Sequence, residues 1–306
     1  MAYMCGRYAS TKSAADIADE FRAVDATGDA APDADYNVAP TKPVLAVVQR
    51  HPRDADGTAD GSRTERSVRV LRWGLVPSWA KDPSVGSRMI NARAETAATK
   101  PAFRKALAAR RCLLPADGWY EWRRAAASGA ATKSGAAGKQ PFFITGSANG
   151  KPGGSLALAG VWEFWRPADG GEPLLTAAVL TTEAVGPLAE IHERMPLLLA
   201  PGDWSAWLDP DAAPPMDLLA PPSAELVAGL ELRPVSSRVN NVRNEGPELV
   251  ERVEVAEPAL ALDLDTPGKP PESPAEPPAD PHAPSAPADP HTPSGRPAGA
   301  RSAARR

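Results

Sequence analysis

Short apolar runs separated by polar, glycine- or proline-containing stretches recur through most of the chain, and strand-length segments dominate. Val44–Gln49, Val68–Trp73, Arg111–Leu114, Trp119–Trp122, Phe142–Thr145, Leu156–Trp165, Leu174–Thr181 and Glu231–Val235 are short and rich in β-formers. Helical spacing is rarer. In Ser13–Arg22 the apolar Ala14, Ile17, Ala18 and Phe21 fall on one face. Lys100–Arg110 opens with Pro101 near its first turn, where proline is tolerated. Asp203–Leu208 and Ser223–Ala228 are shorter candidates. Many strands interrupted by a few helices predict an α+β domain: a mainly antiparallel, barrel-like β-sheet with flanking helices.

The pattern lapses in three places. His51–Ser67 and Ala125–Lys139 are rich in Ala, Gly, Ser, Asp or Lys and read as elongated surface loops, since loop closure costs rise slowly with length. From about Glu257 the chain turns to Pro, Ala, Asp and Ser, with PADPHAPSA and PADPHTPSG as a near-repeat and Arg301, Arg305 and Arg306 at its end. So little apolar side chain cannot offset the entropy of ordering, which predicts a disordered tail over 256–306 and one domain over 4–255.

Composition narrows the class. The 306 residues are 42% hydrophobic with 8 Trp, enough for a sizeable core. No apolar run approaches the ~18 residues of a membrane span, and MAYMCGRYAS lacks the apolar stretch of a secretory signal. Two cysteines, Cys5 and Cys112, exclude a disulfide framework and fit a reducing, cytoplasmic setting. The net charge of −4 provides no global pull toward nucleic acid, so a DNA partner would require a local basic channel.

Common catalytic signatures are absent: no G-x-S-x-G elbow, Walker loop, G-x-G-x-x-G or H-E-x-x-H. With four His, two of them in the tail, a protein metal site is not expected. His192 is the one histidine expected to be ordered, and a lone histidine is as a rule structural. Cys5 near a terminus is by default a small buried hydrophobe. Met4 before it changes that reading, because removal of Met4 leaves Cys5 with a free α-amine beside its thiol. Such a 1,2-aminothiol titrates near ~8 at the amine and ~8.5 at the thiol. It condenses with an aldehyde to an imine, then closes to a thiazolidine ring.

Two further segments carry polar groups in suggestive settings. In Gly118-Trp119-Tyr120-Glu121-Trp122, period two places Trp119 and Glu121 on one face. Glu121 either faces an aromatic interior, where desolvation suits it to proton transfer, or pairs with an arginine on an exposed strand. In Asn91-Ala92-Arg93-Ala94-Glu95-Thr96, an extended chain puts Asn91, Arg93 and Glu95 on one face, with an arginine fork suited to phosphate.

Taken in order, Cys5–Tyr8, Tyr36-Asn37-Val38-Ala39-Pro40, Trp73–Trp79, Asn91–Thr96, Asp117–Trp122, Ile191-His192-Glu193-Arg194-Met195-Pro196 and Pro234–Ser236 through Asn241–Asn244 resemble the SOS-response-associated peptidase (SRAP) family. That resemblance implies the SRAP fold and the processing of abasic sites in single-stranded DNA through a covalent protein–DNA link. Cys5 would form the thiazolidine with C1′ of the opened sugar, Asn91 would hold amine and sugar in register, and Glu121 and His192 would move protons. Arg7 and Arg93 would grip phosphates, Trp79 would stack on a neighbouring base, and Asn37 would join the DNA-binding set. The resemblance implies no cofactor or metal, a monomer, single-stranded DNA as partner, and hydrolase- or lyase-type activity in DNA repair.

Met1-Ala2-Tyr3-Met4 precedes Cys5 and would acylate its amine. Translation from Met4 with loss of that methionine, or the autoproteolytic removal ascribed to the family, would expose it. Two other readings stand beside this one: a cysteine peptidase acting on other proteins, and a non-covalent single-stranded DNA binder.

Overall fold

The computed structural model describes residues 5–52, 57–58, 60–123, 139–148, 151–152 and 154–254. The tail 256–306 and most of the Ala125–Lys139 segment lie outside the described residues. Among those described, no helix is long and apolar enough to cross a membrane.

Five strands close into a ring. Leu174–Glu183, Leu156–Trp165, Arg111–Ala116, Pro43–Arg50 and Glu65–Trp73 pair antiparallel in that order. The ring shuts through a parallel contact, Thr176 and Ala177 against Arg72 and Trp73. The expected α+β architecture on a mainly antiparallel, barrel-like sheet is the one observed. Both faces of these strands are covered, which is why they read as near-continuous apolar runs. Val44, Ala46 and Val48 join Trp73, Leu114 and Val179 in one cluster, while Leu45 and Val47 face Ile17, Phe21, Leu107 and Trp207 in another.

The helix Ala14–Phe21 follows its sequence signal. Ser13 accepts a hydrogen bond from the Asp16 N–H and Asp16 accepts one from the Ser13 N–H, a capping box worth ~1 kcal/mol. Arg22 ends the helix in the left-handed region, and Phe21 stacks on Trp204 with ring centroids 4.2 Å apart. The second helix starts later than its pattern suggests, at Arg104: Lys100–Phe103 forms turns and no side chain caps its start. The strand Glu65–Trp73 also takes the last residues assigned to the His51–Ser67 loop, because Glu65, Arg66 and Ser67 pair with Arg50, Gln49 and Val48.

A second sheet carries the segment of greatest interest. Gly118–Arg123 lies between Tyr8–Ser10 and Gln140–Ala148, and Leu230–Pro234 pairs with the far side of the latter. Glycine at 118 is required by close approach: a Cβ there would meet the Ile144 carbonyl at 2.4 Å and the Phe143 ring at 2.5 Å. The alternation beyond it holds. Trp119 packs in the cluster that contains Cys5, whereas Tyr120 and Trp122 pack on the other side with Phe143 and Val239.

Candidate functional site

Cys5 and Glu121 meet inside the protein. The strand pairing of Tyr8 with Trp119 brings the two segments together, and the Cys5 backbone N–H donates to Glu121 Oε1 at 2.8 Å. Both residues are buried, at 4% exposure. Cys5 adopts φ 42°, a left-handed conformation uncommon for any residue but glycine. Of the two settings open to Glu121, the interior one is realised.

Electrostatics separates the two groups from ordinary side chains. Burial pushes the Cys5 thiol well above the usual thiol range, and the Glu121 carboxylate beside it adds to the rise, while Arg194 draws it back. Burial likewise raises the Glu121 carboxyl, against the pull of the Cys5 hydrogen bonds and of His192. The site therefore holds an S–H rather than a thiolate at neutral pH, beside a carboxyl group able to carry a proton.

His192 is half-buried and stands close enough to Glu121 to favour its charged form. Its Nδ1 accepts from the Arg194 backbone N–H at 3.0 Å. Asn91 opens the short strand Asn91–Arg93, which runs parallel to Leu174–Glu183 with Asn91 opposite Val179. Ile90, just before it, packs in the same cluster as Cys5. The extended face expected for Asn91, Arg93 and Glu95 stops at Arg93, since the helix Ala94–Ala97 begins there and carries Glu95 in its first turn.

The residues expected at DNA divide into exposed and buried groups. Trp79 is 60% exposed, and its loop is fastened by the Trp165 indole N–H donating to the Ala80 carbonyl at 2.7 Å. Arg93 is exposed. Arg7 is half-buried, and its Nη1 donates to Asn37 Oδ1 at 2.6 Å and to the Val239 carbonyl at 2.9 Å. Asn37 is fully buried, so it lies beneath the surface rather than on it. Its Nδ2 donates to the carbonyls of Val239, Asn241 and Asn244, which fixes the 239–244 loop beside Arg7. Sequence reasoning missed Arg194: it sits within a noticed segment yet received no role, and only folding shows its charge acting on Cys5.

The sequence model of the SOS response associated peptidase (SRAP) family matches residues 4–242. The chain belongs to that family. SRAP relatives include the abasic site processing protein YoqW of Bacillus subtilis, 36% identical over 251 residues that cover 81% of this chain and 99% of the relative. The abasic site processing protein HMCES of Gallus gallus is 35% identical over 248 residues, covering 73% and 67%. A solved protein from Bacteroides thetaiotaomicron shares the fold, with a TM-score of 0.63 at 23% identity over 82% of this chain and all of that one. Among the described residues, no group of three or more His, Cys, Asp or Glu is arranged to hold a metal ion.

Proposed function

We propose that this SRAP protein captures abasic sites in single-stranded DNA as a covalent thiazolidine on Cys5. The observation that carries the reading is the 2.8 Å contact between the Cys5 nitrogen and the buried Glu121 carboxyl. It supports the reading because a carboxyl beside that nitrogen can carry protons for the atom that must attack the sugar aldehyde.

The abasic sugar is mainly a closed hemiacetal, so a proton must move before the aldehyde is exposed. Glu121 and His192 suit that step. The Cys5 amine then adds to C1′, and the resulting carbinolamine loses water to an imine with a proton supplied by Glu121. The Cys5 sulfur adds to the imine carbon while its proton passes to the ring nitrogen. One water is released overall. A thiol held as S–H by burial fits this amine-first order, in which the thiol acts only once the electrophile is activated.

The amine must first be free. The family match starts at residue 4, in keeping with translation from Met4 and loss of that methionine. Where Met1–Tyr3 are present, the same pocket can cut the Met4–Cys5 bond. The sulfur adds to the Met4 carbonyl, the C–N bond breaks as the thiol proton reaches the nitrogen through Glu121, and water hydrolyses the thioester. The left-handed φ at Cys5 stores strain beside that bond, of the order of ~1–3 kcal/mol.

Arg93 and Trp79 supply exposed contacts for phosphate and base, and Arg7 sits at the edge of the 239–244 loop. The test is to incubate the protein with single-stranded DNA bearing one abasic site and run a denaturing gel. A shifted band is expected, lost in Cys5→Ala and kept in Cys112→Ser. A non-covalent binder would release its DNA in every lane.

A further inference from the structure

The strand Asn91–Arg93 is a weak element in the frame of the site. It is three residues long and pairs with Leu174–Glu183 at Val179, Leu180 and Thr181. A ladder that short does not by itself hold side chains within the ~0.5 Å tolerance of a reacting constellation.

A charged clamp sits directly after it. Glu95 lies in the first turn of the helix Ala94–Ala97, and both its oxygens accept from Arg194: Oε1 from Nη1 at 2.6 Å and Oε2 from Nη2 at 2.9 Å. Arg194 Nη2 also donates to the Thr181 carbonyl at 2.6 Å. Paired forks of this kind fix direction as well as distance. Arg194 is 8% exposed, so the guanidinium is held from within the protein, while the Glu95 side chain stands 44% exposed at the surface end of the fork.

The same arginine reaches His192 through its backbone. The Arg194 N–H donates to His192 Nδ1 at 3.0 Å, and the Arg194 carbonyl lies 3.2 Å from that nitrogen. One ring nitrogen cannot accept and donate along both contacts. The shorter contact, with a donor that is always protonated, makes Nδ1 the acceptor and places the ring hydrogen on Nε2.

We propose that Glu95 and Arg194 are positioning residues for the crosslinking reaction: their ion pair joins the Asn91–Arg93 strand to the His192 segment and holds His192 in its Nε2–H form. The inference rests on the functional reading above. Removing the pair frees both sides, so Asn91 and His192 lose register while the core stays packed.

Glu95→Gln is the variant of choice, since the Glu95 side chain is 44% exposed and the change keeps its size. Crosslinking at saturating abasic DNA should slow by about 10- to 100-fold, the usual effect of small misplacement in a reacting site. Half-saturation should stay within about twofold, since no phosphate contact is removed. Nitrogen-15 NMR of His192 should show a single Nε2–H tautomer in the unaltered protein and a mixture in Glu95→Gln. The double variant Glu95→Arg with Arg194→Glu should recover part of the rate.

An unchanged rate or an unchanged tautomer in Glu95→Gln overturns the proposal. So does a rate loss matched by an equal loss of melting temperature, which marks a merely structural role. If the unaltered protein forms no crosslink at all, the functional reading fails, and the tautomer comparison still decides the clamp.

Discussion

Two buried charged side chains, Arg111 and Glu121, are treated in opposite ways. Arg111 is 3% exposed and spends its guanidinium on the carbonyls of Leu107, Ala108, Trp207, Asp209 and Ala212. It ties the end of one helix to the end of another and to the loop beyond. Glu121 is 4% exposed and takes the Cys5 N–H, with His192 as its neighbour. A buried charge surrounded by partners holds a fold together. A buried charge with few partners costs stability and is left able to exchange a proton.

That contrast breaks most easily at Arg111. Arg111→Met strands several carbonyls away from water and should cost about 3 kcal/mol or more in urea unfolding. The crosslinking rate per folded molecule should stay within about twofold, as expected for a site remote from the chemistry. A large rate loss with little destabilisation would erase the distinction.

Glu121→Gln should do the reverse. Its crosslinking rate should fall by ~10²–10⁴, the usual contribution of a positioned proton carrier. Its stability at neutral pH should rise. Burial lifts the folded-state value of Glu121 above its unfolded value, so its contribution is fully present below the unfolded value of ~4.3. That contribution is lost as pH rises through the folded value. Gln has no such loss, so the melting temperature of the variant should gain on the wild type as pH rises from the unfolded value of ~4.3 through the higher folded value. An equal gap across that range would contradict the account.

Smaller effects sharpen the comparison from outside. Trp79→Ala should weaken non-covalent binding to single-stranded DNA by ~1–3 kcal/mol, read by fluorescence anisotropy, and leave the saturating crosslink rate intact. Glu231 provides the surface counterpart to Glu121. Arg233 and Arg252 hold it, and its carboxyl is lowered to about 2, chiefly by the Arg233 hydrogen bond. Its contribution is present above the unfolded value and fades as pH falls, the opposite slope to Glu121. Solvent screening keeps Glu231→Gln within ~1 kcal/mol in thermal melts, with no change in crosslinking.

Much of this was legible in the residues because the signals are local. The apolar stripe of the first helix and the alternation after Gly118 each declare themselves within a few positions. The ring closure was not, because a parallel contact between Arg72 and Thr176 spans about a hundred residues and leaves no local mark. Asn37 shows the limit for sites. Its residue type suits DNA contact, yet folding turns it inward to hold the 239–244 loop, and burial cannot be read from a short polar side chain in a loop-flanked strand. Arg194 shows the converse: an arginine between Glu193 and Met195 in an apolar-flanked segment gives no hint that it meets Glu95, ninety-nine positions away.

The central claim is that the free amine and thiol of Cys5 together close a ring on the abasic sugar. Intact mass spectrometry of the purified protein–DNA adduct, before and after borohydride treatment, tests it most directly. The account predicts the mass of a chain beginning at Cys5 plus the abasic strand less one water, unchanged by borohydride, because a thiazolidine has no C=N bond to reduce. An adduct that retains Ala2-Tyr3-Met4, or one that gains two hydrogens on reduction as a simple imine does, would contradict it.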